Sequence, residues 1–182
     1  MTIPSLPSPE REPSYRHSSQ AMSRDWVAFA VERVLSCCRL PRLDPTQVGE
    51  VFERRARLEE EDDIQTCYQL IGGPLFPLGR GELRWIRKRS KGVVLLDLAE
   101  EAHVPLATWV EAVGRETPCA FLRHDPQDLD STLVLAYPVP VGELQLLFRG
   151  PGEKAEVSSC VVSEFPEVVW DTRRDNKKTL TG

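Results

Sequence analysis

Apolar and polar positions are patterned most clearly from Arg84 to Gly114, RWIRKRSKGVVLLDLAEEAHVPLATWVEAVG, which predicts strand, tight turn, strand and then one or two helices. Leu83, Trp85 and Arg87 alternate against Arg84, Ile86 and Lys88, and Ser90-Lys91-Gly92 carries turn chemistry. Val93 to Leu96 is an apolar run of strand length, and Asp97 can cap a following helix. Upstream, Trp26, Val27, Ala30, Val31, Val34, Leu35 and Cys38 recur at helical spacing behind Ser23 as N-cap, until Pro41 stops the helix. Asp44 and Pro45 open a second helix with Val48, Val51, Phe52, Arg55 and Leu58 on its inner side. The acidic run Glu59 to Asp63 then reads as a solvated helix end, because consecutive carboxylates splay around a helix and do not converge on one ion. Ile64 to Ile71 fits a short helix or a strand, and Gly72 to Gly81 is a loop.

Beyond Gly114 the pattern changes to short β-rich runs at Cys119–Leu122, Thr132–Tyr137, Glu143–Phe148 and Val157–Val162. Turn clusters separate them, and Val168–Trp170 is a last edge strand or a docked segment. Helices first and antiparallel strands later predict an α+β fold, with N-terminal helices packed against a mostly antiparallel sheet of five or six strands. The expected organisation is a disordered tail over 1–22, one α+β domain over 23–172 and a flexible basic tail over 173–182.

Charge and cysteine content narrow the function classes. A net charge of −5 weakens general nucleic-acid binding, which relies on a basic field, but leaves room for a local basic face. Five cysteines, an odd number without CxxC spacing, point to reduced thiols in a cytoplasmic, intracellular setting. No run approaches the ~18 apolar residues of a membrane span, so no membrane association is expected.

Leu98, Ala99, Ala102 and Val104, followed by Ala107, Thr108 and Val110 or Val113, resemble the helix-turn-helix pattern of bacterial regulators. The resemblance covers 98–113 and implies a DNA-binding transcriptional regulator. It departs from the pattern at His103, where the turn commonly has Gly, and at Pro105. The would-be reading helix offers Glu111 and, past its end, Arg115, whereas groove reading needs donors. Arg84, Arg87, Lys88, Arg89 and Lys91 form a basic hairpin that could meet phosphates or simply discourage edge pairing. Trp85 and Trp109 are the candidate aromatic anchors for a partner.

Catalytic constellations are thin. Asp130 with Glu143 and Gln145 resembles the Asp…Glu-x-Lys metal site of restriction-type nucleases, with Gln145 in place of the Lys. The loop HDPQDLDS, with His124, Asp125, Asp128 and Asp130, fits a long hairpin turn better than a calcium loop. Cys119 and Cys160 lack a sequence-visible base and read as buried, inert thiols. The expectation is a non-catalytic interaction or regulatory protein without cofactor or metal, binding another macromolecule, chiefly protein. Arg84, Trp85, Arg87, Lys88, Arg89, Lys91 and Trp109 are its candidate contacts. Homodimerisation through a strand edge or the first helix also fits, with a DNA-binding regulator and a metal-dependent nuclease or hydrolase as the alternatives.

Overall fold

The computed structural model describes residues 24–73, 78–98, 104–123, 132–149 and 155–166. Three short helices, α1 (Arg24–Cys38), α2 (Pro45–Val51) and α3 (Leu106–Val113), accompany nine strands among the described residues. The strands are β1 (Arg55–Glu61), β2 (Gln65–Ile71), β3 (Leu78–Ile86), β4 (Lys91–Leu98), β5 (Val104–Pro105), β6 (Ala120–Arg123), β7 (Leu133–Val139), β8 (Gly142–Arg149) and β9 (Glu156–Ser163). They form one antiparallel sheet in the order β1-β2-β3-β4-β9-β8-β7-β6, with β5 paired to β9. This corrects the expected α+β arrangement of N-terminal helices on five or six strands. Sheet dominates, and five strands precede α3.

The correction begins where α2 ends. Asp44 caps that helix as its spacing predicts, its carboxylate accepting the N–H of Thr46 at 2.9 Å. The helix closes at Val51, and Glu53 takes a left-handed conformation, φ 54°. The chain then folds back, with the Arg54 N–H donating to the Gly49 carbonyl at 2.8 Å. Any Cβ at Gly49 would lie 2.6 Å from the Arg54 carbonyl oxygen, so this reversal needs glycine there. Arg55 and Leu58, expected on a helix, therefore lie on β1, and the acidic run ends a strand rather than a helix.

On the helix side of the sheet, one rung runs Leu58, Tyr68, Leu83, Val94, Val162, Leu144, Tyr137 across β1, β2, β3, β4, β9, β8 and β7. From Leu83 onward these residues are buried. Their burial against α1, α2 and α3 makes a single core that also takes in Val31, Val34, Cys37, Leu43, Val48 and Trp109. Burying each aliphatic side chain contributes about 1.5–3 kcal/mol, which is why the alternation in β4 and β8 dictates strands there. The Cys38 carbonyl at the end of α1 accepts the Val141 N–H at 3.1 Å, fastening that helix to the β7–β8 turn.

Each half of the sheet repeats one plan: a helix followed by a meander of four strands. α2 leads into β1–β4 and α3 into β6–β9. The halves meet where Val93–Asp97 pairs with Ser159–Ser163, about a pseudo-two-fold near the Leu95–Val161 pair. Leu98 closes β4 and Val104 pairs with Val157, so both ends of the first half of the helix-turn-helix pattern are strand. Ala99–His103 between them lie outside the described residues, as do His124–Asp130, Val168–Trp170 and both tails. No helix among the described residues is long and apolar enough to cross a membrane.

Candidate functional site

A groove of about 1120 Å³ opens where α2 stands beside the start of the sheet. Its lining comes from three places. α2 and its N-cap contribute Asp44, Thr46 and Glu50, the reversal after the helix contributes Glu53 and Arg54, and the strands contribute Ala56, Tyr68 and Trp85. Thr66 on β2 faces Trp85 on β3, so Tyr68, two residues along, and Trp85 share the helix side of the sheet. Both rings are half-buried, whereas β1 beside them is exposed along most of its length. An aromatic floor is therefore left without the cover that α1 gives to β8 and β9.

Charge surrounds this floor. The Arg42 guanidinium sits 4.9 Å from the Trp85 ring centre and also donates to the Ser90 carbonyl at 3.3 Å. Arg33 pairs with Glu53 and donates to the Val51 carbonyl at 2.9 Å, steadying the end of α2. Arg54 is 7% exposed, and burial pushes its pKa below the usual guanidinium value. A guanidinium keeps its proton in such surroundings, so the groove holds a fixed positive charge beside the acids Asp44 and Glu50.

The seven expected contact residues are dispersed. Trp85 alone lines the groove. Arg84, its neighbour on β3, points to the opposite face and donates to Glu82 at 2.6 Å, which raises the guanidinium pKa further. Arg87 and Arg89 bound one turn of 3-10 helix with Lys88, not a tight hairpin turn. Arg87 pairs with Glu61 and donates from Nε to Thr66 Oγ1 at 3.0 Å. Arg89 and Lys91 flank the Phe165 ring at 5.5 Å and 5.4 Å, and Lys91 Nζ donates to the Glu164 carbonyl at 3.1 Å. The basic hairpin is thus largely engaged with its own chain, and Lys88 is exposed. Trp109 is wholly buried in the core and offers no surface to a partner.

The nuclease-like residues come apart as well. Glu143 and Gln145 share a face of β8, as alternation requires, but both are buried and Gln145 Nε2 donates to Glu143 Oε1 at 2.8 Å. Asp130 lies outside the described residues. Among the described residues no group of three or more His, Cys, Asp or Glu could hold a metal ion. Cys160 is buried and burial raises its pKa, whereas Cys119 is exposed, against expectation. Sequence reading missed Arg54 and Tyr68 in the groove, and Arg42 stacked on Trp85 beside it. Tyr68 falls in the segment that fits helix or strand equally, and Arg54 in one that reads as helix. Compared with known proteins, the chain matches no family model, no curated protein and no solved structure.

Proposed function

We propose that this chain is a non-catalytic binding protein that holds an extended segment of another protein in the groove between α2 and the β1–β3 surface. The observation that carries the reading is the half-buried pair Tyr68 and Trp85 on the helix side of the sheet, lining a groove beside the exposed strand β1. Large, stiff aromatic rings supply contact area at low entropic cost and dominate protein-binding surfaces. Asp44 and Glu50 along the helix wall favour Lys or Arg beside the apolar residue that would cover the rings.

Selection of random peptides displayed on phage against the immobilised full chain tests this. Enrichment of sequences with an aromatic or aliphatic residue flanked by Lys or Arg is expected. Tyr68→Ala should weaken their binding by about tenfold or more, the loss of one central anchor. Glu50→Lys should weaken the basic-flanked peptides selectively. The reading fails if no consensus emerges, or if the selected peptides bind both variants as they bind the original chain.

A further inference from the structure

We propose that Arg42 selects an anionic group, carboxylate or phosphate, on the segment held in the groove, just past the residue that covers Tyr68 and Trp85. This role rests on the groove being a segment-binding site and adds the charge the segment carries at one end. Arg42 lies in the connection between α1 and α2, which crosses the sheet where fully buried Leu43 meets Gly92. That anchorage brings the exposed Arg42 side chain over the Trp85 ring, with the guanidinium carbon 4.9 Å from the ring centre. Trp85 beneath it and Asp44 two residues on both line the groove, so Arg42 stands at that end of it.

A guanidinium carries five N–H donors in one rigid plane. Arg42 spends one of them, from Nη2 to the Ser90 carbonyl at 3.3 Å, and no carboxylate of the described residues pairs with it. Its neighbours around the rings are committed elsewhere. Arg33 is held by Glu53 and the Val51 carbonyl, and Arg87 by Glu61 and Thr66 Oγ1. Arg55 is the register partner of Ile71 at the far end of β2, away from the Thr66–Trp85 pair. Asp44, the acid nearest Arg42 along the chain, uses Oδ1 to accept the N–H groups of Thr46 at 2.9 Å and Gln47 at 3.4 Å.

Two contacts, the ring and the Ser90 carbonyl, thus fix the plane of this guanidinium while most of its donors stay unspent. Such a fork takes a carboxylate or a phosphate through two parallel N–H···O bonds, and holding it in place beforehand lowers the entropy lost on binding. An extended segment advances about 3.3–3.6 Å per residue, so a group one or two residues past an anchor over Trp85 comes level with Arg42. The favoured segment is therefore of mixed charge, with Lys or Arg along the α2 wall and an acid past Trp85. Arg42 and its anion both stay near water, so added salt weakens the selection.

The probes are the phage-selected peptides, resynthesised with Asn, Asp, phosphoserine or Lys at each of the two positions on either side of the anchor. Their binding to the full chain is measured by calorimetry. At one of these positions Asp or phosphoserine should bind about fivefold more tightly than Asn, and the gain should shrink as salt is added. Which of the two acids gains more identifies the source of the anion. Arg42→Ala should abolish the gain while the Asn peptide binds as before, which also reports an intact groove. Arg42→Glu should reverse the preference, favouring Lys over Asp at that same position. The proposal is overturned if no position prefers an acid, or if the preference survives in Arg42→Ala. It is equally overturned if the Arg42 variants weaken Asn and Asp peptides alike, the mark of a merely structural contact. Should those peptides still depend on Tyr68, the groove stands and the role of Arg42 alone falls. Without any selected consensus, both fall together.

Discussion

Gly92 lies where the α1–α2 connection crosses the sheet, and replacing it with alanine should loosen that crossing. A Cβ there would stand 2.7 Å from the Leu43 carbonyl oxygen, 2.8 Å from Leu43 Cβ and 3.2 Å from Leu83 Cδ1. Leu43 is fully buried, and its carbonyl is backbone, so it cannot swing aside as a side-chain end can. Forcing a methyl into such a contact costs about 1–3 kcal/mol. Restricting the unfolded chain by the same substitution returns about 0.4–1 kcal/mol. The difference predicts that Gly92→Ala is destabilised by roughly 0.5–2 kcal/mol. Gly81 on β3 is the control. Its added Cβ would meet Leu70 Cδ1 at 2.9 Å and Leu70 Cβ at 3.2 Å, the nearest atom being the far end of a side chain that can rotate. Gly81→Ala should stay within about 0.5 kcal/mol of the original chain. Urea unfolding at equilibrium, with unchanged denaturant dependence, measures both. The reasoning is refuted if Gly92→Ala is as stable as the original chain, or if Gly81→Ala loses as much. Because Gly92 is the cross-strand partner of Trp85 and Arg42 adjoins Leu43, the destabilised variant should also shift the Arg42–Trp85 stack.

Two further outcomes follow from the turns and the core. Asp62 Oδ1 accepts the N–H groups of Gln65 at 2.7 Å and Ile64 at 2.6 Å, and these bonds hold its carboxyl below the usual 3.8. A depressed folded pKa means its stabilisation is complete above the unfolded value and is lost as pH falls through the folded one. The melting-temperature gap between the original chain and Asp62→Ala should therefore be constant near neutrality and narrow below about pH 3.8, in thermal scans at stepped pH. A gap that persists at the acid end would remove the assignment. Leu144→Ala, at a fully buried position on β8, should cost about 2–5 kcal/mol in urea unfolding. A loss under 1 kcal/mol, about a third of a typical core truncation, would mean that β8 is not central to the core.

Strands were legible where one face is buried. The alternation around Trp85 places β3, and the apolar run Val93–Leu96 lies within β4. The expected runs at Thr132, Glu143 and Val157 overlap β7, β8 and β9. β1 carried no such signal, because an edge strand exposed to water needs no apolar period and Arg-Ala-Arg-Leu-Glu-Glu-Glu is equally good helix composition. The left-handed Glu53 that ends α2 is also invisible beforehand, since that conformation is commonly signalled by Gly or Asn. Spacing misled at 98–113, where Leu98 and Val104 have helical intervals but lie in strands along β9. The groove was legible only through Trp85. Tyr68 joins it by a pairing between strands, and Trp109, equally aromatic in sequence, is consumed by the core.

β9 is synthesised after the eight other strands described, yet it lies inside the sheet, paired to β4 on one side and β8 on the other. A nascent chain still short of Glu156 can close two meanders but cannot join them, and it presents β4 and β8 as bare apolar edges while it waits on the ribosome. Contacts between Val93–Asp97 and Ser159–Ser163 join residues 62 to 70 positions apart, so they form late and slowly. A premature stop before Glu156 would therefore remove the strand that joins the two meanders. It would leave two half-sheets, each seeking a strand that was never made.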